Sequence, residues 1–555
     1  MRWLLHPRRL PYIVYIALAL LILLPLLGKG YILALDMVFT PTLRMPAAIT
    51  NAYPFYALLH ALNWVLPAFV IQKVLLFGTF LAAGLGAHYM VMRLRPAAVS
   101  TQAWLAGAYV AGVFYICNPF VYTRLMAGQY LVLIGYALLP WALRWAWELL
   151  DKPGKRAALW LSGVTLLIGF TSVHTLGLLA ILLACLASAQ GWRHRHDKAW
   201  LGAIAKYAAV TIGAVVVLNS FWLVPLAQGK GVLSDTVAQF TSRDDRAFAT
   251  TAGHLGLVGN VLSLQGFWGD ARSLYLLPSD DFGWWWTPIV LMWLLVAIGV
   301  WQSWRQRQRA LTVALIVMAT VGLVLTVGIA GTIFAPLNRT LLDHMPLFAG
   351  YREPQKFAAL IALAYAYFGA AGVSYIWYKL YDTSHRQALT LAGVLVAMAC
   401  APLLFWGGAG QLRSSEYPAG WYQVNAALRQ ADTDGSKVLF LPWHLYMPYS
   451  FSSGITATPA RAFFDVPVLA STDPEIGQAA GYATGSLQQR VDMFVHQAAD
   501  DSQFAAHAQA LGIHYVLLAK EFDYKTYAYL DHIPGVTRYM TTNDLIMYRI
   551  ERSTP

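Results

Sequence analysis

Long apolar runs separated by short polar breaks fill the first three quarters of the chain and then stop. A helix needs about 20 mostly apolar residues to cross a bilayer. Runs of that character lie at 11–27, 74–92, 102–117, 130–150, 157–172, 174–189, 201–226, 284–303, 310–333, 356–378 and 388–407, which predicts eleven spans. The fifth and sixth come from one continuous stretch, Ala157–Ala189. Both of its ends are basic, with Lys152, Lys155 and Arg156 before it and Arg193, Arg195 and Lys198 after it. Basic loops collect on one side of a membrane, so this stretch is expected to fold as a hairpin that turns within Gly169–Thr175. Beyond Trp406 no run is long enough to span. There Tyr417–Gln430 and Leu487–Leu511 read as helices, and Lys437–Leu441, His514–Leu518 and Leu545–Ile550 as strands of a small mixed sheet.

Composition supports this division. The 555 residues are 58% hydrophobic and 12% charged, with mean hydropathy +0.51, whereas a soluble domain carries about 25% charged residues. The formal charge of +12 combines two unlike regions: residues 1–407 hold 29 Lys+Arg against 13 Asp+Glu, and residues 408–555 hold 10 against 14. The expected architecture is therefore an α-helical polytopic membrane domain, 1–407, with about 11 transmembrane helices, followed by an extracytoplasmic α/β domain, 408–555. Arg8 and Arg9 precede the first run without a clean small-x-small cleavage site, so that run is expected to remain as a helix. Cys117, Cys185 and Cys400 all lie in or at the ends of apolar runs, which predicts buried thiols rather than a disulfide framework.

Charge also orients the chain. With the N-terminus inside, the inner segments carry 18 Lys+Arg and four acids, and the outer segments of 1–407 carry 11 and nine. The N-terminus is thus expected in the cytoplasm and the α/β domain outside. Three outer loops are long, 28–73, 227–283 and 334–355. The first and second contain apolar stretches, Tyr53–Phe69 and Leu255–Trp268, suited to interfacial helices.

Asp36 stands out among the ionisable groups. It follows the first run directly and sits between Leu33, Ala34, Leu35 and Met37, Val38, Phe39, where a charge is costly without a task or a partner. Such a carboxylate suits the acceptor in glycosyl transfer, by taking or orienting its proton. A lipid-linked sugar phosphate donor would also need cations. Arg44, Arg124, Arg352 and Lys356 lie near outer span ends, with Glu353 and Gln129 beside them as supporting groups.

This layout resembles the GT-C superfamily of membrane glycosyltransferases, whose hallmark is an Asp in the first extracytoplasmic loop. It is closest in layout to YfhO-type and related prokaryotic polytopic membrane proteins. The resemblance is carried by Ala34–Pro41 (ALDMVFTP), Asn118–Gln129 (NPFVYTRLMAGQ), Gly350–Phe357 (GYREPQKF) and Lys437–Tyr446 (KVLFLPWHLY). It implies Asp36 as the catalytic carboxylate, a polyprenyl-phosphate sugar donor, an envelope glycan, lipid or protein as acceptor, and a site in the prokaryotic plasma membrane. Membrane lipids are expected partners and nucleic acid is not. Within residues 1–407 there is no D-x-D motif, only the adjacent pairs Asp244-Asp245 and Asp280-Asp281, so a divalent metal has no clear ligand set there.

Each residue also has a plainer role open to it. Asp36 could cap a helix or pair with Lys29 or Arg44. Arg352 and Glu353 could form an internal ion pair ahead of a helix starting near Pro354. Arg124 and Gln129 could belong to a packed loop, and Arg243, Asp244, Asp245 and Arg246 to a solvated charge cluster. His174 could be a satisfied polar group at the hairpin turn. Trp443, His444 and Tyr446 could stack on a sugar or simply fill the core. Two other functions stay open: a non-catalytic envelope-assembly scaffold, and a transporter or flippase for lipid-linked glycans. Spans nearly devoid of charge argue against ion-coupled transport.

Overall fold

The structure, a computed structural model, describes residues 9–231, 246–306, 308–331, 333–345, 347–431, 436–476, 485–499, 501 and 503–551. Arg2, Arg8, Asp235, Arg243, Asp244, Asp245 and Arg307, all used in the charge argument, lie outside the described residues.

Each predicted apolar run contains a helix: Leu10–Leu23, Ala68–Arg93, Thr101–Ile116, Tyr130–Asp151, Lys155–Thr171, Val173–Arg193, Lys198–Leu218, Trp286–Arg305, Arg309–Val327, Ala358–Lys379 and Thr383–Ala399. Among the described residues, seven helices are long and apolar enough to cross a membrane. An eighth qualifies if Thr383–Ala399 and Pro402–Ala409, bent by 71°, form one span, and Leu10–Leu26 is apolar but shorter. Their surfaces agree with a multi-pass membrane protein. Lys198–Leu218 buries only Trp200 and Thr211 and exposes Val210, Ile212, Val216 and Val217. A face that apolar belongs against lipid. At the centre, Thr101–Ile116 and Ala358–Lys379 are buried nearly all round. Gly299 on Trp286–Arg305 and Gly372 on Ala358–Lys379 each face the other helix's backbone with no room for a Cβ, so small residues set this close packing.

Several boundaries differ from expectation for local reasons. The run 157–189 does split, at Ser172, whose extended backbone ends one helix while its hydroxyl caps the next through Thr175 N–H. The run 201–226 stops at Leu218, and Ser220–Ala227 is a separate short helix after Asn219. The last run ends at Ala399. Pro402 follows, and Trp406, Gly407 and Gly408 are left-handed, so the chain bends there. Of the two interfacial stretches, Tyr53–Asn63 is helical before Pro67 starts Ala68–Arg93, whereas the second is helical only over Gly256–Leu262.

The C-terminal region holds a five-stranded mixed sheet. Its order is Val468–Leu469, Lys437–Leu441, Ile513–Ala519, Leu545–Ile550, Val536–Thr541. The first three strands are parallel and the last two pair antiparallel. Val438 and Phe440 on one strand, with Leu517 and Met547 on the next two in the sheet, join the core of the helical region. The alternate residues Leu439, Leu441, Val516 and Leu518 form a second core with Val491, Phe494 and Phe504 of the helices Leu487–Gln497 and Phe504–Ala510. Strand residues alternate faces, so burial on both sides accounts for the unbroken apolar run KVLFL. The sheet region is tied to the first outer loop by backbone pairing of Tyr31–Ile32 with Ser414–Ser415. A second tie is the hairpin Tyr446–Pro448/Ile455–Ala457, through Leu35 and Thr456.

Candidate functional site

Asp36 occupies the third position of a tight turn, Ala34–Met37. Met37 N–H donates to Ala34 O at 2.7 Å and Ala34 N–H returns to Met37 O at 3.3 Å. Leu35, ahead of it, has φ +34°, a costly value for a residue with a branched side chain. The surroundings hold that conformation in place. Leu35 N–H donates to Ile455 O at 3.1 Å, Ala457 N–H to Leu35 O at 2.8 Å, and Asp36 N–H to Ala127 O at 3.1 Å.

The last of these partners comes from NPFVYTRLMAGQ, whose fold is dictated locally. Asn118 caps the short helix Pro119–Met126 by accepting from Val121 N–H, and Pro119 fits its first turn. The helix ends in a Schellman motif: Gly128, at φ +68°, donates to Leu125 O at 3.0 Å and Gln129 N–H to Arg124 O at 2.9 Å. A Cβ on Gly128 would overlap the Ala34 carbonyl and Met37 N. Glycine is required there both for the turn and for the contact with the Asp36 loop.

The side chains form one network. Tyr446 O–H donates to Asp36 Oδ1 at 2.6 Å, and Gln129 Nε2 lies 3.3 Å from Asp36 Oδ2 and 3.2 Å from Glu353 Oε2. The oxygen of Gln129 accepts from Arg124, which orients the amide so that its NH₂ faces both carboxylates. Glu353 lies 3.1 Å from Arg124 and 3.4 Å from Lys356 Nζ. The Arg124 side chain is 0% exposed, and it also donates to Gln355 and sits 4.4 Å from the Phe267 ring centre. Gln355 donates onward to Leu264 O at 3.2 Å, which brings the second outer loop into the site.

Two carboxylates on one amide have opposite electrostatics. Burial would raise Glu353, but Lys356 and Arg124 outweigh it and hold its carboxyl well below the ordinary carboxylate range. Asp36 is open to solvent yet recessed among protein. Desolvation pushes its carboxyl above the ordinary Asp value, against the opposing hydrogen bond from Tyr446, and Glu353 adds to the rise. The cations thus favour the ionised form of Glu353, whereas burial favours the protonated form of Asp36.

The candidates therefore divide. Asp36, Gln129, Arg124, Glu353 and Lys356 come together. Neither Lys29 nor Arg44 pairs with Asp36: Lys29 meets Glu416 at 3.2 Å, and Arg44 binds Asp465 and the carbonyls of Phe463 and Phe464. Arg124 is likewise committed to protein groups. Arg44 and Arg124 thus both spend terminal guanidinium nitrogens on protein oxygens, and Arg124 is fully buried as well. Glu353 pairs with Arg124 and Lys356 rather than with Arg352, whose guanidinium lies 4.6 Å from the Phe248 ring centre. Arg352 still exerts its charge on both Lys356 and Tyr446. His174 is a satisfied turn residue, with Nε2 2.9 Å from Gly350 O.

In the sheet region, Trp443 is buried and donates to Asp492 at 2.8 Å, and His444 lies between Glu475 and Asp523 at 2.7 and 3.2 Å. Both belong to that region's own packing, and Tyr446 is the residue that reaches Asp36. No group of three or more His, Cys, Asp or Glu able to hold a metal occurs among the described residues. Next to the Asp36 turn, a cavity of about 550 Å³ opens between the first outer loop and the sheet region, lined in part by Phe39, Tyr56, Tyr130, Arg461 and Asp465.

No family model and no curated protein matches the sequence. Solved structures do match. The mycobacterial arabinofuranosyltransferase AftD superposes over 98% of this chain and 40% of its own, with TM-score 0.62 and 16% identity. The oligosaccharyltransferase of Archaeoglobus fulgidus, solved tethered to an acceptor peptide, superposes over 100% of this chain and 75% of its own, with TM-score 0.51 and 13% identity. Both are GT-C membrane glycosyltransferases. This chain has the GT-C fold. It spans about two fifths of the length of AftD. Within that GT-C framework, the features that sequence reasoning passed over are Gly128 and Gln355. The MAGQ sequence after a capped helix was the available signal for Gly128. Gln355 had none, because its role exists only through Arg124.

Proposed function

We propose that the chain is a membrane glycosyltransferase moving a sugar from a polyprenyl-phosphate donor to an extracytoplasmic acceptor. The observation that carries the reading is the position of Asp36. Its carboxylate is recessed, hydrogen-bonded by Tyr446 and Gln129, and raised in proton affinity beside a cationic cluster. In this reading Asp36 takes or orients the acceptor proton. Lys356, beside Glu353, and Arg352, over the Phe248 ring, are the cations assigned to the donor phosphate. The acceptor approaches through the cavity beside Phe39 and Tyr130, where aromatic faces and polar groups suit a sugar. The topology that goes with this has eleven spans, the N-terminus in the cytoplasm, and a separate outward domain beginning near residue 408.

The test is Asp36→Asn, assayed for transfer from a radiolabelled polyprenyl-phosphate sugar in membranes at matched expression. Transfer should fall by about 10²–10⁴-fold, the contribution of a positioned acid–base group. Undiminished transfer would remove Asp36 from the chemistry. Loss of all binding to donor and acceptor together with normal folding would favour a scaffold instead.

A further inference from the structure

The helix Val173–Arg193 starts at the site, where His174 Nε2 is 3.4 Å from Lys356 Nζ. At 1.5 Å per residue its far end lies roughly 30 Å away, one hydrocarbon thickness. There it packs beside the start of Arg309–Val327, and the two enclose a groove of about 730 Å³. Its walls are apolar and partly small, with Ala184, Ser188 and Ala189 on one helix, Ala310 and Ala314 on the other, and the larger Trp192, Val313 and Val317 among them. Arg193 and Arg309 stand at its polar end, and no carboxylate lines it. The nearest acid in sequence, Asp197, is occupied in capping the next helix at Trp200 N–H.

We propose that this groove binds an anionic phospholipid, with an acyl chain along the alanine walls and its phosphate against Arg193 and Arg309. Guanidinium groups bind phosphate in a bidentate fashion and retain their charge at a membrane surface, and basic pockets between helices at that depth suit acidic headgroups. A choline headgroup would place its ammonium beside two guanidinium groups, so the site should discriminate against zwitterionic lipid.

The proposal stands apart from glycosyl transfer, and its test uses no transfer assay. Full-length, delipidated protein in detergent is titrated with phosphatidylglycerol, phosphatidylcholine or inorganic phosphate, and bound lipid is counted by native mass spectrometry. Phosphatidylglycerol should bind at least tenfold more tightly than phosphatidylcholine, and inorganic phosphate should not displace it. Arg193→Ala with Arg309→Ala should lose that preference. Ser188→Phe, an exposed position that keeps both arginines, should block the acyl chain and weaken both lipids. Equal binding of the two lipids, an unchanged double variant, or displacement by millimolar inorganic phosphate would each overturn the assignment. The lipid-free melting temperature of each variant checks that its fold is intact.

Discussion

Tyr446→Phe isolates the hydrogen bond that joins the sheet region to Asp36. The Tyr446 hydroxyl donates to Asp36 Oδ1 at 2.6 Å, and this bond lowers the carboxyl's proton affinity. A hydrogen bond to a charged group contributes about 1.5–3 kcal/mol. Asp36 is open to solvent on one side, so the lower end applies, and at about 1.4 kcal/mol per pH unit the loss raises the Asp36 pKa by about one unit. The hydroxyl favours only the ionised form, which fixes the sign. Transfer that requires the carboxylate should therefore lose its acid limb about one pH unit higher in the variant, with the plateau above it retained. Initial rates of transfer in membranes, measured from pH 4 to 9, read this directly.

Stability should follow the same sign. Because the folded Asp36 pKa lies above its unfolded value, its contribution to stability falls as pH rises from the ordinary Asp range through the folded pKa. The variant should be more destabilised at neutral pH than at pH 4. An acid limb at the wild-type position, with a folded protein, would refute the proton-acceptor role of Asp36 or its coupling to Tyr446.

Glu353→Gln leaves two buried cations without their carboxylate, and removing one partner of a buried pair costs about 3–5 kcal/mol. Combining it with Arg124→Met should cost less than the sum of the two single changes, measured as chemical-denaturation midpoints in detergent. Gly128→Ala must displace the Ala34–Met37 turn, so it should reduce transfer far more than it reduces melting temperature, and equal activity would dismiss that contact. Arg44→Ala should lower stability by about 1–2 kcal/mol through lost hydrogen bonds to Asp465 and two carbonyls, while the KM for the donor stays unchanged. A raised donor KM would restore Arg44 to the phosphate site.

The sequence by itself determined the helices, because the apolar runs that make them must satisfy their backbone groups internally and bury or face lipid over their whole length. The doubly buried strand KVLFL was legible too, and the cap and Schellman turn of NPFVYTRLMAGQ, though passed over, rest on equally local signals. Asp36 was legible for the same reason: a charge inside an apolar segment is conspicuous without any partner in view. Only the tertiary structure decided which cations stand near it. Arg44, Arg124, Arg352 and Lys356 look alike in one dimension, each a basic residue near an outer helix end. What folding adds is the set of partners around each, among them Asp465 for Arg44, and Glu353, Gln129 and Gln355 for Arg124. Those partners lie far away in sequence except for Gln129, and a guanidinium's availability depends on acceptors brought to it by folding. The clamp on the Asp36 turn, by Ala127 and Tyr446 on Asp36 and by Ile455 on Leu35, is of the same kind.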